Sequence, residues 1–353
     1  MANAVNEALI RDVIEDVLGR LGGSPTIATA APTAKPAGDN GSCGCQAKGS
    51  GGRDFGVFKT ADEACDAAAK AFQQLRGQGV EARRRIVEIV KSLCEDNDEE
   101  WGRIELEETK IGRLDHKIEK LQIIRNVPGV EWLRPDGLSG DHGITLEEYT
   151  PFGVVGAVTP STHSIPTLAG NIVNIVAAGN AVVFNAHPAA SRCAALAVRK
   201  FNEAIHRAIG IENIATIIEQ PTLESFGEMC ANENVRLLCV TGGPGVVDAA
   251  MKTGKRAICA GPGNPPVLVD ATADIDRAAR CVVQGAAYDN NLLCIGEKEV
   301  FVLDSVADAF MSALEKHAAV RLNESQLDAL TQAAFVFPEG QGAGCGHAAT
   351  NKD

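Results

Sequence analysis

The sequence has few aromatic residues and contains no long run of basic or apolar side chains. Its 33 Lys and Arg are outnumbered by 46 Asp and Glu, which gives a formal net charge of −13. Because phosphate backbones are bound by clustered cations, this balance argues against a nucleic-acid-binding protein. There is no stretch of about 18 or more apolar residues, so no membrane-spanning helix and no membrane partner are predicted.

Two further absences concern the cellular compartment. The first residues, "MANAVNEALIRDVIEDVLGR", carry acids where a secretory signal has an unbroken apolar segment. The 11 cysteines are odd in number and lie mostly in apolar segments, unlike the dense framework of a small disulfide-bonded domain. We therefore expect reduced thiols in a cytoplasmic protein. With 45% apolar residues, the chain can bury a core large enough for two or three domains.

The first 54 residues are predicted to lie outside the globular part. Within residues 3–21, apolar residues recur at helical spacing opposite charged ones, which predicts an amphipathic helix in a segment 1–22. Its apolar stripe consists of Ile10, Val13, Ile14, Val17 and Leu21. Residues 23–54 are rich in Ala, Pro, Gly, Ser and Thr, a composition typical of a flexible linker. Cys43 and Cys45 in this linker have no second pair or histidine nearby, so no metal site is predicted.

From Phe55 onwards, the sequence predicts alternating helices and strands. Thr60 and Glu63 match a capping box that opens a helix ending near Leu75, and a second helix is expected at 81–94. Apolar runs predict strands at 153–158, 180–186, 213–219, 235–240 and 266–270. Helical segments are expected between them, near 165–178, 189–209, 222–231 and 244–253. This alternation predicts an α/β fold with a largely parallel sheet of the nucleotide-binding type.

The loops that follow the predicted strands are candidates for ligand binding, because α/β folds bind ligands at the carboxyl edge of the sheet. Three such loops hold the candidate residues Thr159, Pro160, Ser161 and His163; Asn185, His187 and Pro188; and Thr241, Gly242, Gly243 and Gly245. The last loop precedes a predicted helix whose free N–H groups suit a pyrophosphate. It lacks both the G-x-G-x-x-G spacing and a P-loop lysine, and a tight turn also needs glycine for steric reasons alone.

A further block, "CAGPGNPPVLVD" at 259–270, is an uncharged Gly/Pro loop that leads into a strand, and "NNLLCIGEKEV" follows it at 290–300. These blocks, in this order, resemble the aldehyde dehydrogenase superfamily over residues 55–353. Within it they are similar to the CoA-acylating propionaldehyde dehydrogenases of bacterial microcompartments. The resemblance implies a Rossmann-type parallel-sheet cofactor domain over 55–260 and an α/β catalytic domain over 261–353. It further implies that the catalytic domain is C-terminally incomplete in this chain, that the whole protein is a homo-oligomer, and that 137–150 form an inter-subunit arm.

The same resemblance implies that Cys294 is the nucleophile that carries an acyl group as a thioester. The backbone N–H of Cys294 is the first candidate donor to the oxyanion, and His163, Asn291 and Asn290 are alternatives for the second. Ala260 and Gly261 stand in the block where hydrolytic relatives have a glutamate, so CoA rather than water is the expected acyl acceptor. Asn185 replaces the lysine that relatives place near the ribose. NAD is the expected cofactor, with CoA as co-substrate.

The implied substrate is a short aldehyde, most simply propanal, and the implied location is inside a microcompartment whose shell protein binds residues 3–21. The alternative is a catalytically inactive or truncated, shell-associated cargo protein. Other residues are expected to be structural or solvated. Buried filler is expected at Cys65, Cys94, Cys193, Cys230, Cys239, Cys259 and Cys281. A surface position is expected for His116, His142, His206 and His317, and a solvated helix face for "DNDEEWGRIELEETK" at 96–110.

Overall fold

A computed structural model describes residues 55–261, 263–336 and 347–348. The chain divides between Gly51 and Gly52, and every described residue belongs to the second unit. The predictions for the helix at 3–21, the linker at 23–54, Cys43 and Cys45 lie outside the described residues.

The helices are α1 (Ala61–Asp96), α2 (Asp98–Thr109), α3 (Leu114–Gln122), α4 (Ser164–Ala177), α5 (Ser191–Ile209), α6 (Leu223–Ala231), α7 (Pro244–Met251), α8 (Ile275–Ala287), α9 (Asp304–Lys316) and α10 (Glu324–Ala334). The strands are β1 (Val57–Phe58), β2 (Asp136–Gly140), β3 (Gly143–Glu147), β4 (Val154–Thr159), β5 (Ala181–Ala186), β6 (Ala215–Ile218), β7 (Val235–Thr241), β8 (Ala257–Ala260), β9 (Pro266–Val269), β10 (Glu299–Val302), β11 (Phe335–Val336) and β12 (His347–Ala348). Short 3-10 turns cover Ile123–Asn126, Val130–Trp132, Pro188–Ala190 and Tyr288–Asn291. Among the described residues, no helix combines the length and the apolar character needed to cross a bilayer.

The central sheet has the strand order β1-β6-β5-β4-β7-β8, and all of its pairs are parallel. The predicted α/β fold with a parallel sheet is confirmed. Every residue of β4, β5 and β6 is buried, which explains why these strands are continuous apolar runs in the sequence. Helices α1, α4 and α5 add buried residues to the same core.

The order of the strands creates a crevice beside β4. The chain moves outward from β4 through β5 to β6, and then returns to place β7 on the opposite side of β4. The connections that leave β4 and β7 therefore diverge, and this reversal point is where open α/β sheets bind ligands. Thr159 ends β4 and Thr241 ends β7, so both lie at the crevice.

The strand predicted at 266–270 forms, but it lies outside the central sheet. The run at 266–270 forms β9, which pairs in parallel with β10 in a separate two-stranded sheet and not with the central sheet. Strand β8 occupies the edge of the central sheet instead, although its last two residues, Cys259 and Ala260, were predicted to lie in a loop. Helices α8 and α9 pack on the small sheet over a minor core formed by Val269, Ala279 and Phe310.

The two helices predicted at 60–75 and 81–94 are joined in α1, with a break at Gly79, whose φ of 73° is outside the helical range. Thr60 caps α1 through its hydroxyl oxygen, which accepts from the Glu63 N–H at 3.3 Å. Strands β2 and β3 form an antiparallel hairpin within the predicted arm, and all of their residues are exposed. The exposed side chains include Leu138, Ile144 and Leu146.

Candidate active site

The carboxyl edge of the central sheet opens into a cavity of about 470 Å³, called here the edge cavity. Most of the residues that were predicted to bind the cofactor or to take part in catalysis line this cavity. Those that line it are Thr159, Pro160, Ser161, Asn185, His187, Pro188, Thr241, Gly242, Gly243, Ala260, Gly261, Asn291 and Cys294. Gly245 and His163 are not among the lining residues. The edge cavity therefore brings together loops that lie more than a hundred residues apart in the sequence.

A second cavity of about 530 Å³, called here the inner cavity, adjoins the first. His163, Lys120, Tyr288 and Glu297 line it. Residues shared by both cavities are Pro160, Thr162, Thr241, Leu293 and Cys294. The Cys294 residue thus lies where the two cavities meet, with access from either side.

Cys294 is set apart from most of the other described cysteines by its surroundings. Burial raises the pKa of Cys65 and of Cys94 to about 12, so these thiols stay protonated at neutral pH. Cys294 is only half-buried. Its carbonyl oxygen accepts from the N–H groups of Gly263 and Asn264 at 3.0 and 3.1 Å, which ties the cysteine loop to the end of the edge cavity. Cys281 was expected to be buried but is exposed on α8.

His163 lies at the start of α4 and faces the inner cavity. Its Nδ1 atom is buried and has no hydrogen-bond partner among the described residues. Burial, together with the ammonium groups of Lys120 and Lys117, lowers the pKa of His163 to about 3. The imidazole is therefore neutral at physiological pH, and a neutral ring can donate one N–H to an oxyanion.

The two asparagines beside the cysteine differ in how their amides are used. The Nδ2 atom of Asn291 donates to the carbonyl oxygens of Ala286 and Glu297, so it braces the loop. The Nδ2 atom of Asn290 is buried and meets no partner in the described part of the chain, but Asn290 lines neither cavity. Both residues have positive φ values, 57° for Asn290 and 59° for Asn291. His163 and Asn291 each line a cavity together with Cys294, whereas Asn290 lines neither.

The cofactor candidates at the end of β5 are placed differently from each other. Asn185 is buried, and its Oδ1 atom accepts from the hydroxyl of Ser225 at 2.7 Å, so its side chain braces the start of α6. His187 is exposed at the mouth of the edge cavity, and its Nδ1 atom accepts from the Ala189 N–H at 3.1 Å. Burial of part of the ring lowers the pKa of His187.

The helices at this edge differ in whether a side chain caps their first turn. Glu105 of α2 accepts from the N–H groups of Ser164 and Ile165 at the start of α4, and Glu108 does the same for Arg192 and Cys193 in α5. The Thr222 hydroxyl caps α6. Helix α7 follows Gly243 and has no side-chain cap. Of these four helices, α7 is the one whose positive end remains available to a phosphate.

The expectation that residues 96–110 form a solvated face was therefore wrong for Glu105, whose side chain is 1% exposed. Glu105 also forms a buried ion pair with Lys117, whose Nζ lies 2.7 Å from Oε1. A second buried pair joins Lys120 to Asp289. In the sequence, burial of Lys117 is indicated by its position between Leu114 and Leu121, which places this lysine on the apolar stripe of α3.

The expected surface position was also wrong for His116. Its ring stacks on Tyr288 with centroids 4.1 Å apart, and its Nδ1 atom accepts from the Asp289 N–H at 2.9 Å. No alternation or spacing in the sequence connects residues 116 and 288, so this contact was not predicted. It joins α3 directly to the segment that precedes Cys294.

A profile of the aldehyde dehydrogenase family matches residues 56–336. The chain belongs to the aldehyde dehydrogenase family. Among curated relatives, the chain is similar to the acetylating acetaldehyde dehydrogenase of Salmonella typhimurium, with 43% identity over 279 residues. That match covers 78% of this chain and 59% of the relative. The CoA-propanoylating propanal dehydrogenase of Citrobacter freundii is 37% identical, with 81% of this chain and 62% of the relative covered.

Solved structures of family members share the fold of the chain. The propionaldehyde dehydrogenase of Rhodopseudomonas palustris, solved with bound CoA and an acylated cysteine, matches with a TM-score of 0.75 at 40% identity. The match covers 80% of this chain and 65% of that chain. The propionaldehyde dehydrogenase from the fucose utilisation microcompartment of Clostridium phytofermentans matches with a TM-score of 0.76 at 40% identity. That match covers 85% of this chain and 68% of the other.

The lowered pKa of His163 predicts how stability depends on pH. Unfolded His163 takes up a proton near its ordinary pKa of 6.5, whereas the folded ring does so only near 3. The unfolded state therefore binds more protons between these values, and His163 makes the protein less stable as pH falls from about 6.5 towards 3. The free energy of unfolding, measured with urea, is expected to fall less between about pH 7 and pH 5 for His163→Asn than for the wild type. His142→Asn, at an exposed hairpin position, is the control, and an equal pH dependence in His163→Asn and the wild type contradicts the assignment.

Proposed function

We propose that the protein is a CoA-acylating aldehyde dehydrogenase that oxidises a short aliphatic aldehyde, with propanal as substrate, using NAD and CoA. The observation that carries the proposal is the position of Cys294 between two cavities, one of which meets the uncapped start of α7. A thiol nucleophile with separate approaches for an aldehyde and for a nucleotide is what this reaction needs. The relatives named above, all acylating or propionaldehyde dehydrogenases, support the same activity.

The described residues of the edge cavity fit a dinucleotide. A Cβ at Gly243 would meet no atom within 4 Å, so the backbone there is open to close approach by a ligand. The N–H groups of the first turn of α7 are the proposed contacts for the pyrophosphate. Bound NAD would supply the acceptor for the hydride that leaves the substrate. His187 at the mouth of the cavity is the proposed contact near the ribose, because the Asn185 amide is engaged with α6.

The proposed chemistry at Cys294 begins when its thiolate attacks the aldehyde carbon and the carbonyl oxygen becomes an oxyanion. The backbone N–H of Cys294 and the neutral ring of His163 are the proposed donors to this oxygen. Loss of hydride from the tetrahedral carbon leaves an acyl thioester on Cys294. The thiolate of CoA then attacks the thioester carbon, which releases acyl-CoA and restores the Cys294 thiolate.

Water is the competing acyl acceptor, and the described lining of the edge cavity gives it no carboxylate as a general base. None of the described residues that line this cavity is Asp or Glu. Ala260 and Gly261 stand in the block where the resemblance to hydrolytic relatives would place a glutamate. The inner cavity does contain two carboxylates, Glu119 and Glu297. The Tyr288 hydroxyl donates to Glu119 at 3.0 Å, and Glu297 lies against Gly285. The proposal therefore assigns CoA to the edge cavity once NADH has left it.

The activity is tested by mixing the protein with propanal, NAD and CoA and following NADH by absorbance. NADH formation that requires both propanal and CoA is the expected result. Equal formation without CoA contradicts acyl transfer, and a complete lack of NADH with any short aldehyde contradicts the oxidation. This second outcome would instead favour a cargo role without catalysis.

Replacing Ala260 with glutamate is expected to place a carboxylate in the edge cavity, where it can activate water against the thioester. Propanoate should then form in the absence of CoA, at a rate that the wild type does not reach. Ala260→Gln is the matched control, since it has the same size and no basic oxygen of that strength. If the wild type already releases free acid as fast as acyl-CoA, the reason given for CoA dependence is wrong.

A shell protein is the proposed partner of the segment at 3–21, because its apolar stripe suits a groove or a helix on another protein. The solved relative from the Clostridium phytofermentans microcompartment supports this placement. The exposed hairpin β2–β3 is the proposed contact with a second copy of the chain, since it carries Leu138, Ile144 and Leu146 in exposed positions.

The targeting proposal is tested with residues 1–23 fused to a fluorescent protein in cells that assemble such shells. Puncta that co-purify with shells are expected. A matched fusion with Ile10, Val13 and Val17 changed to Asp should give diffuse fluorescence, because the apolar stripe is lost. Diffuse fluorescence from both fusions contradicts the proposal.

A further inference from the structure

Two of the loops at the candidate active site are residues 160–163 after β4 and residues 288–294 before β10. The Nζ atom of Lys120, on α3, touches both of them. It donates to Asp289 Oδ2 at 2.5 Å and to the carbonyl oxygen of Thr162 at 3.3 Å. The Lys120 side chain is 1% exposed and that of Asp289 is fully buried. One buried ammonium group therefore spans the loop that carries His163 and the loop that carries Cys294.

The surroundings of Asp289 hold its carboxylate in one position. Its Oδ1 atom accepts from the Arg113 N–H at 2.9 Å, and its own N–H donates to His116 Nδ1 at 2.9 Å. The backbone of Asp289 has a φ of 51°, a conformation that residues other than glycine rarely adopt. A Cβ on Gly112 would lie 1.9 Å from Oδ1, so the glycine leaves the space that the carboxylate fills. Contacts from α3 and the turn before it thus converge on a residue five positions before Cys294.

The remaining charges around Lys120 complete the cluster. Lys117, three residues earlier on α3, donates to the same Thr162 carbonyl at 2.9 Å and to Glu105 at 2.7 Å. Burial and the charge of Lys117 lower the pKa of Lys120, whereas its hydrogen bond to Asp289 opposes this change. Two ammonium groups are therefore directed at one carbonyl oxygen, and each has its own carboxylate partner.

A buried ion pair is weak evidence for stability, because desolvating two charges costs about as much as their attraction returns. Apolar side chains of similar size often replace such pairs with no loss of stability. The geometry offers another role, since the pair links two loops whose relative position sets the distance between Cys294 and its oxyanion donors. A misplacement of about 1 Å at a reacting centre can lower a rate about a hundredfold.

We propose that Lys120, through its contacts with Asp289 and Thr162, is a positioning residue that fixes the Cys294 loop against the His163 loop. The proposal rests on the proposed dehydrogenase function for its kinetic consequence. Its structural consequence, the order of the two loops, is independent of that function.

The test uses the double variant Lys120→Met/Asp289→Asn, which removes both charges and keeps the size of both side chains. Hydrogen–deuterium exchange should become faster at 160–163 and 288–294 and stay unchanged in β5 and α5. The kcat for propanal should fall about ten- to a hundredfold with little change in KM, because positioning acts on the reaction step. The melting temperature should stay near that of the wild type.

The control is Lys316→Met/Asp276→Asn, which removes an exposed pair with a distance of 2.6 Å that lies away from both cavities. This control should change neither loop exchange nor kcat. Should the double variant at the buried pair fail to fold, Asp289→Asn alone keeps an oxygen acceptor and the contact of Lys120 with Thr162, and a smaller effect in the same direction is expected.

Unchanged exchange in both loops overturns the proposal, and so does faster exchange with an unchanged kcat. A lower kcat with unchanged exchange also overturns it, because the pair would then act through its electric field and not through position. If the wild type shows no NADH formation but the exchange result holds, the proposed function has failed while the linkage of the two loops stands.

Discussion

Cys294→Ala is expected to abolish aldehyde-dependent NADH formation, a loss of several orders of magnitude in kcat. The thiol is the group that bonds to the substrate carbon, and loss of a covalent nucleophile usually has an effect of this size. Because the position is only half-buried, loss of the sulfur should leave no closed cavity. The free energy of unfolding in urea should therefore change little. The measurement is the initial rate of NADH formation with saturating propanal and CoA.

Cys281→Ala is the control for this change, because Cys281 is exposed on α8 and lines neither cavity. Its rate should equal that of the wild type. A Cys294→Ala protein that keeps more than a few per cent of the wild-type rate would show that catalysis does not pass through a bond to this sulfur.

Glu105→Gln is expected to have the largest effect on stability, a loss of about 3–5 kcal/mol in the free energy of unfolding. The carboxylate accepts from Lys117 Nζ and from two N–H groups at the start of α4, and all of these contacts are buried. Glutamine leaves the ammonium group of Lys117 buried without its charge partner. Urea unfolding at neutral pH measures the loss, with the midpoint and the slope both recorded.

Glu107→Gln is the matched control, since Glu107 is an exposed residue on the same helix. A surface change of this kind typically alters stability by less than about 0.5 kcal/mol. Equal unfolding free energies for Glu105→Gln and Glu107→Gln would mean that the buried pair does not hold α2 against the start of α4.

The central sheet was predictable because its strands are buried on both faces. Strands β4, β5 and β6 form continuous apolar runs, and such runs are typical of central parallel strands. The edge strand β8 has only four residues with half of them exposed, so its sequence did not distinguish it from a loop. Strand β9 was recognised as a strand, but a short apolar run does not specify which sheet it joins.

The edge cavity was predictable for a related reason. Carboxyl ends of parallel strands meet at one edge, so the loops after β4, β5 and β7 converge once the sheet is known. Apart from Lys117, whose place on the apolar stripe of α3 was a signal, the buried charges were not predictable. Glu105, Lys117, Lys120 and Asp289 are charged residues of a kind that is usually solvated, and the contacts that allow their burial, such as the pair of Lys120 with Asp289, form only in the folded chain. Four buried ionisable residues with contacts at or beside the two loops were therefore missed.

The central claim is that Cys294 carries the acyl group and exchanges it with CoA. The most direct measurement incubates the protein with propionyl-CoA in the absence of NAD and locates the acyl group by mass spectrometry of digested peptides. The account predicts a propionyl thioester on Cys294 that disappears when free CoA is added, and no such adduct in Cys294→Ala. A chain that takes up no acyl group, or one that is acylated at the exposed Cys281 and not at Cys294, would contradict it.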